Sequence, residues 1–320
     1  MVRLAVALTA VFWPVYLCAQ SFAVFTGTDG GTSHLYRLDL SSLKTSRLTD
    51  SAASEMEAAV SPDGNQIAFV SDRDGARALY LAAATPDSPW TRLTAGMGAY
   101  AHPTFAPDGA NVTAQYVPDP AARVRHTQLV NISLKDKTRT VLVDSAKAFP
   151  AEGDDRAVVV DHPAWFDSDL LLFAVVEYSD PDAAPRVTSA GLWRLNARTA
   201  SVTHLAGGES YYDARGRLHG FKATMPHREG PLIAFVGIQG STGRVPMVMN
   251  QRGRAARILP FTDPAFVGPC LAGARRFLYV IEDGDGNPQL ALKSIGETNR
   301  RVVPFPGHAS EPAVPPRFVP

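Results

Sequence analysis

The chain is poor in cysteine, with two in 320 residues, Cys18 and Cys270. Cys18 falls in a segment expected to be removed on export, so no internal disulfide is available and the core alone must hold the fold. There is no surplus charge of either sign: 31 basic residues balance 31 acidic ones. That balance excludes the basic footprint a nucleic-acid binder needs. Charged residues make up only 19% against 45% hydrophobic, which excludes a disordered chain. Long apolar runs are also lacking. The uncharged stretch from Leu4 to Leu17 is too short to span a bilayer comfortably and is interrupted by Pro14. The catalytic signatures of several enzyme classes are missing as well. Gly240-Ser241-Thr242-Gly243 and Gly208-Glu209-Ser210-Tyr211-Tyr212 both fail as nucleophile elbows, and neither a phosphate-binding loop nor a zinc-protease helix occurs.

Turn formers, by contrast, are abundant, with 25 glycines and 25 prolines, and they leave little room for long helices. Arg3 followed by the Leu4–Leu17 run and by Leu17-Cys18-Ala19 reads as a secretory signal over residues 1–19, cut ahead of Gln20. Lipidation of Cys18 is disfavoured by Leu17, because lipidated signals place a small residue before the cysteine. Residues 20–320 are then a protein of the periplasm or the exterior, with no transmembrane segment after cleavage.

One unit recurs along those residues. Its final hairpin reads LYRLDLSSLKTSRLT from Leu35 and LYLAAATPDSPWTRLT from Leu79, with looser copies ending the later units. The anchors Leu48, Leu93, Leu142, Leu205, Leu259 and Val303 lie 44 to 63 residues apart, the spacing of four-stranded propeller blades. A branched or aromatic strand precedes each hairpin, as in Gln66–Asp72 and Leu170–Tyr178, and a further strand precedes four of these. The first unit lacks this innermost strand, and Ser310-Glu311-Pro312-Ala313-Val314-Pro315 supplies it once Glu311 is set against Glu57. The expected fold is therefore all-β, a six-bladed propeller in which residues 310–316 close the ring within the first blade.

The segment Ser61-Pro62-Asp63-Gly64-Asn65-Gln66-Ile67-Ala68-Phe69-Val70-Ser71-Asp72, echoed by Ala106-Pro107-Asp108-Gly109, resembles the WD40-like PD40 repeat of the TolB propeller family. The resemblance covers nearly all of residues 20–320 as architecture and is sharp in blades two and three. TolB proteins serve the periplasmic Tol-Pal system and bind a peptidoglycan-associated lipoprotein through the propeller. They also carry an α/β domain ahead of it, for which the expected boundaries leave no space. The same repeat occurs in the propellers of prolyl-oligopeptidase-like peptidases and of oligogalacturonate lyases, so it specifies a fold and not an activity.

Aligning the innermost strands sets Glu311, Glu57, His102 and His162 at one equivalent position in blades one to four, with His219 the candidate in blade five and Gly268 in blade six. Innermost strands line a propeller's channel, so these residues are the candidate binding site at its mouth. One reading gives them backbone and water to bind, with no cofactor. The other gives a divalent metal held by His102, His162, Glu57 and Glu311, since imidazole and carboxylate suit zinc, manganese or iron. Asp283-Gly284-Asp285-Gly286-Asn287 begins like a calcium loop, but Pro288 and Ser294 break the pattern, and a polar hairpin is expected. Trp90 is expected in an exposed loop and available to a partner. Met225–Glu229 and Tyr178–Pro185 are expected as insertion loops of the recognition face. The function expected is that of a monomeric module of the cell envelope that binds a protein or peptide, a lipoprotein among the candidates. The alternative is a metal-dependent carbohydrate lyase or hydrolase acting at the channel mouth.

Overall fold

The computed structural model describes residues 22–122, 126–150, 156–179, 186–212, 214–215, 218–229, 232–238, 244–254, 257–258, 267–271, 276–294, 297 and 299–316. The expected signal segment, Leu259 and the Asp180–Pro185 part of one insertion lie outside them. Among the described residues stand six four-stranded antiparallel sheets, one two-stranded hairpin (Ser210–Tyr212 with Leu218–Gly220) and one short helix, Ser145–Ala148.

Each sheet is a blade. Blade two runs outward from Glu55–Val60 through Gln66–Ser71 and Ala78–Ala83 to Thr91–Arg92. Its first turn is set by the Pro-Asp-Gly motif. Gly64 takes φ +76°, its N–H donates to Ser61 O at 2.9 Å, and Asp63 Oδ1 accepts from Asn65 N at 3.0 Å and from the Ser61 hydroxyl at 2.5 Å. Blade three repeats the turn, with Gly109 at φ +68°. The Arg-Leu-Thr ending of blades one and two is equally mechanical. Leu48 and Leu93 are buried, while Thr49 and Thr94 accept from the backbone N–H of Leu35 and Leu79 at 2.9 and 3.0 Å. Arg47 and Arg92 reach over the turn to the carbonyls of those threonines.

The second strand of every blade is buried on both faces, which is why it reads as a continuous apolar run. Alternate residues serve opposite neighbours. In blade two, Ile67 and Phe69 pack toward blade one, while Ala68 and Val70 pack toward blade three. In blade four, Leu171, Phe173 and Val175 face blade three, while Leu172, Ala174 and Val176 face blade five. The result is six wedge-shaped cores, one at each seam, rather than one central core.

The seam between blades six and one closes the ring. The innermost strand of blade one is His308–Ala313, antiparallel to Phe22–Asp29, so one sheet joins the two ends of the described chain. Ala309 and Val314 enter the same core as Leu278, Val280 and Leu290 of blade six.

Two expectations about loops need correction. Met225–Glu229 is not an insertion loop but belongs to Lys222–Glu229, the innermost strand of blade five. Trp90 is half-buried, its ring meeting Phe69 edge-on at 5.3 Å under the Arg73 guanidinium, because the loop folds back over blade two. Asp283 behaves as the hairpin reading requires, accepting from the backbone N–H of Asp285 and of Asn287 at 2.9 Å each.

Candidate functional site at the channel mouth

Every innermost strand breaks its ladder at the same point. The register jumps between Met56 and Ala59, Ala101 and Thr104, Asp161 and Ala164, Thr224 and His227, and Val267 and Cys270, and the blade-one strand jumps likewise between Ser310 and Ala313. Inside five of these bulges sits a non-glycine residue in the left-handed region: Glu57 at +53°, His102 at +48°, His162 at +48°, Met225 at +52° and Glu311 at +50°. Such a conformation costs about 1 kcal/mol or more per residue. Proline follows four of the five, as Pro103, Pro163, Pro226 and Pro312, where the bulge leaves no ladder bond for an N–H to make.

Four of the five candidate residues therefore stand at one structural position, and all four line one cavity. His219 does not share it. It lies on the separate hairpin Leu218–Gly220, and Met225 holds the bulge of blade five. The side chains of His219 and of Cys270, which is on the innermost strand of blade six, lie outside the described residues.

A bulge turns an N–H out of the sheet, and in this ring carboxylates recover it. Glu311 Oε2 accepts from Glu57 N at 2.9 Å and from the Thr26 hydroxyl at 2.7 Å. Glu57 Oε2 in turn accepts from His102 N at 2.7 Å. Each blade's side chain thus caps the bulge of the next. Blade three brings an imidazole instead of a carboxylate, so the series needs another acceptor for blade four. Asp161 provides it: its Oδ1 accepts from His162 N at 2.7 Å and meets His102 Nδ1 at 2.6 Å. The sequence alignment passed over Asp161. Its one signal was an acid directly before the bulge residue, where blade three has Ala101.

The two imidazoles stack, with centroids 3.8 Å apart and planes at 21°. Burial works against a charge on His102, but the Asp161 carboxylate outweighs it, helped by Glu57 and Glu311, and raises the His102 pKa to about 9. Asp161 is held well below the usual carboxylate range: burial opposes its ionisation, and the two histidines overcome that. His162 Nδ1 lies 2.9 Å from Asp161 Oδ2 but off-line for a hydrogen bond, and it is a buried polar atom with no other partner. His102, Asp161 and His162 form a group able to hold a metal ion.

Below this polar ring is a cavity of about 420 Å³. Val60, Trp165, Met225, Val280 and Val314 contribute apolar wall, and Arg228 lies buried there over the Phe166 ring at 4.4 Å. The size is that of a side-chain or small-molecule pocket, and apolar walls with a few convergent polar groups are the usual character of such sites.

Residues 10–149 match the family model for the TolB beta propeller domain, PD40. Among solved structures, TolB from Acinetobacter baumannii superposes with a TM-score of 0.68 at 17% identity, covering 93% of this chain and 67% of that one. A puromycin-hydrolyzing peptidase from Mycobacterium tuberculosis gives 0.56 at 14% identity over 88% of this chain, which spans only 44% of the peptidase. An oligogalacturonate lyase from Vibrio parahaemolyticus gives 0.50 at 13% identity, covering 88% and 84% of the two chains. Identities this low speak for the fold and not for any of the three activities. The repeat match over residues 10–149 and the six four-stranded blades together show a β-propeller similar to the TolB-like propellers.

Proposed function

We propose that this protein is an exported propeller of the cell envelope that binds a segment of a protein or peptide in the mouth of its channel. The observation that carries this reading is the cavity of about 420 Å³, walled by apolar side chains on rigid innermost strands and rimmed by Glu57, His102, His162 and Glu311. An extended segment offering one or two large apolar side chains would desolvate against the wall. The rim supplies acceptors and an imidazolium for its backbone and polar ends. The export element in this reading is the apolar Leu4–Leu17 run that follows Arg3; no helix among the described residues is long and apolar enough to cross a membrane.

Panning displayed peptides against the purified chain is expected to enrich sequences with large apolar residues. Ala164→Trp, which fills the cavity from an innermost strand, should weaken the best peptide at least tenfold with an unchanged circular dichroism spectrum. Binding that is indifferent to this substitution would refute the channel as the site. Export has its own check: the protein recovered from the periplasm or the medium should begin at Gln20 by intact mass. A product retaining residues 1–19 there would contradict it.

A further inference from the structure

We propose that the seam between blades three and four holds one divalent first-row transition ion, with His102, Asp161 and His162 as its protein ligands. One donor atom from each of the three lies within 4.8 Å of the others. The Asp161 carboxylate already spans the pair, with Oδ1 2.6 Å from His102 Nδ1 and Oδ2 2.9 Å from His162 Nδ1. Around a tetrahedral ion with bonds of about 2.0–2.1 Å, neighbouring ligands sit roughly 3.3 Å apart. Opening the two carboxylate contacts by about 0.7 and 0.4 Å, with the two imidazole donors closing to the same spacing, would match that geometry. Two imidazoles and one carboxylate suit zinc, manganese or iron better than calcium or magnesium, which prefer all-oxygen shells.

His162 Nδ1 is the independent observation. It is buried, faces the Asp161 carboxylate, and makes no hydrogen bond. That contact is an ion pair at 2.9 Å without hydrogen-bond alignment, so the nitrogen's bonding capacity is poorly used by the protein alone. A proton shared between His102 and Asp161 satisfies those two groups and leaves His162 Nδ1 as it is, whereas an ion gives all three donors a partner. The surroundings also suit a preorganised site. Both histidines are fixed in left-handed bulges, and their backbone N–H groups are held by Glu57 and by Asp161. Glu57 Oε2 stands 4.0 Å from His102 Nε2, a carboxylate charge beside the ring and outside the ligand set. His102 and His162 line the channel cavity, so the ion's remaining position opens toward it. This inference is independent of whether the channel takes a peptide, because ion binding is read without one.

The test uses the whole exported chain, stripped with a chelator, dialysed into metal-free buffer and titrated calorimetrically with Zn²⁺ and separately with Mn²⁺. Bound metal is counted by elemental mass spectrometry. The expected result is about one ion per chain with micromolar or tighter affinity for at least one of the two metals. Asp161→Asn and His162→Gln should each weaken that binding at least tenfold while keeping the wild-type circular dichroism spectrum. Less than a tenth of an equivalent of either ion, or binding unchanged by both substitutions, overturns the proposal. If Asp161→Asn does not fold, the wild-type chain still decides it. Zn²⁺ or Mn²⁺ should protect His102 and His162 from diethylpyrocarbonate, mapped by peptide mass, and equal modification with and without both ions overturns the site.

Discussion

A chain cut after Gly307 is expected to lose its closed ring and to aggregate or melt at a lower temperature. The cut removes His308–Ala313, the innermost strand of blade one, and leaves Phe22–Asp29 as an open edge. It also takes Ala309 and Val314 out of the core shared with blade six, and Glu311 away from the Glu57 N–H. Lost ladder bonds and uncovered apolar area together come to roughly 5 kcal/mol or more. An unpaired strand rich in Val24 and Phe25 then recruits other chains. Size-exclusion chromatography and calorimetry should show aggregates, or a monomer melting at least 10 °C lower, on the scale expected for such a loss. A monodisperse product melting within 2 °C of the full chain would mean that blade one is sealed without its last strand.

Glu55→Ala should cost about 3 kcal/mol or more, because it removes a buried carboxylate and leaves its imidazole partner without a hydrogen bond. Glu55 has no exposed surface. Its Oε2 lies 2.9 Å from His34 Nδ1, and its Oε1 accepts from the Ser51 hydroxyl at 2.5 Å. His34 sits on Thr32–Asp39 of blade one and Glu55 on the innermost strand of blade two, so the pair ties two blades at a seam. Removing the carboxylate strands the imidazole at a site where water does not reach. A fall in melting temperature of roughly 6–12 °C follows for a domain of this size. Replacing both partners by leucine should recover more than half of that loss, since no unpaired polar group then remains. A single mutant melting within 2 °C of wild type would show that the seam is held by its apolar core alone.

The two substitutions that bear on the channel test different things. Ala164→Trp fills space and is read by peptide affinity, whereas Asp161→Asn changes chemistry and is read by metal content. One can fail while the other succeeds, so the peptide reading and the ion stand separately.

Much of this architecture is legible without coordinates because the forces behind it are local. Pro62-Asp63-Gly64 makes its turn from a fixed φ, a self-bonding carboxylate and a tolerant glycine, all within four residues. The doubly buried second strands announce themselves as apolar runs, and a repeat of 44 to 63 residues with one strand missing at the start and one present at the end implies a closed ring. The shared position of Glu57, His102, His162 and Glu311 is legible for the same reason, since the residue pattern repeats with the blade. Blade five misled because His219 comes from a hairpin inserted ahead of the strand. Met225-Pro226, with the proline that marks this bulge in three other blades, carried the better signal.

The sequence by itself determined the six blades, their order and the residue type at the channel position of blades one to four, because each depends on contacts within a blade or on its repetition. Only the tertiary structure decided what those channel residues meet. Glu311 reaches Glu57, Glu57 reaches His102, and Asp161 reaches His102 because the ring brings blades side by side and left-handed bulges turn their N–H groups toward the neighbour. A contact across a seam joins residues about twenty to more than two hundred positions apart, and its geometry follows from the packing of blade on blade rather than from any local pattern.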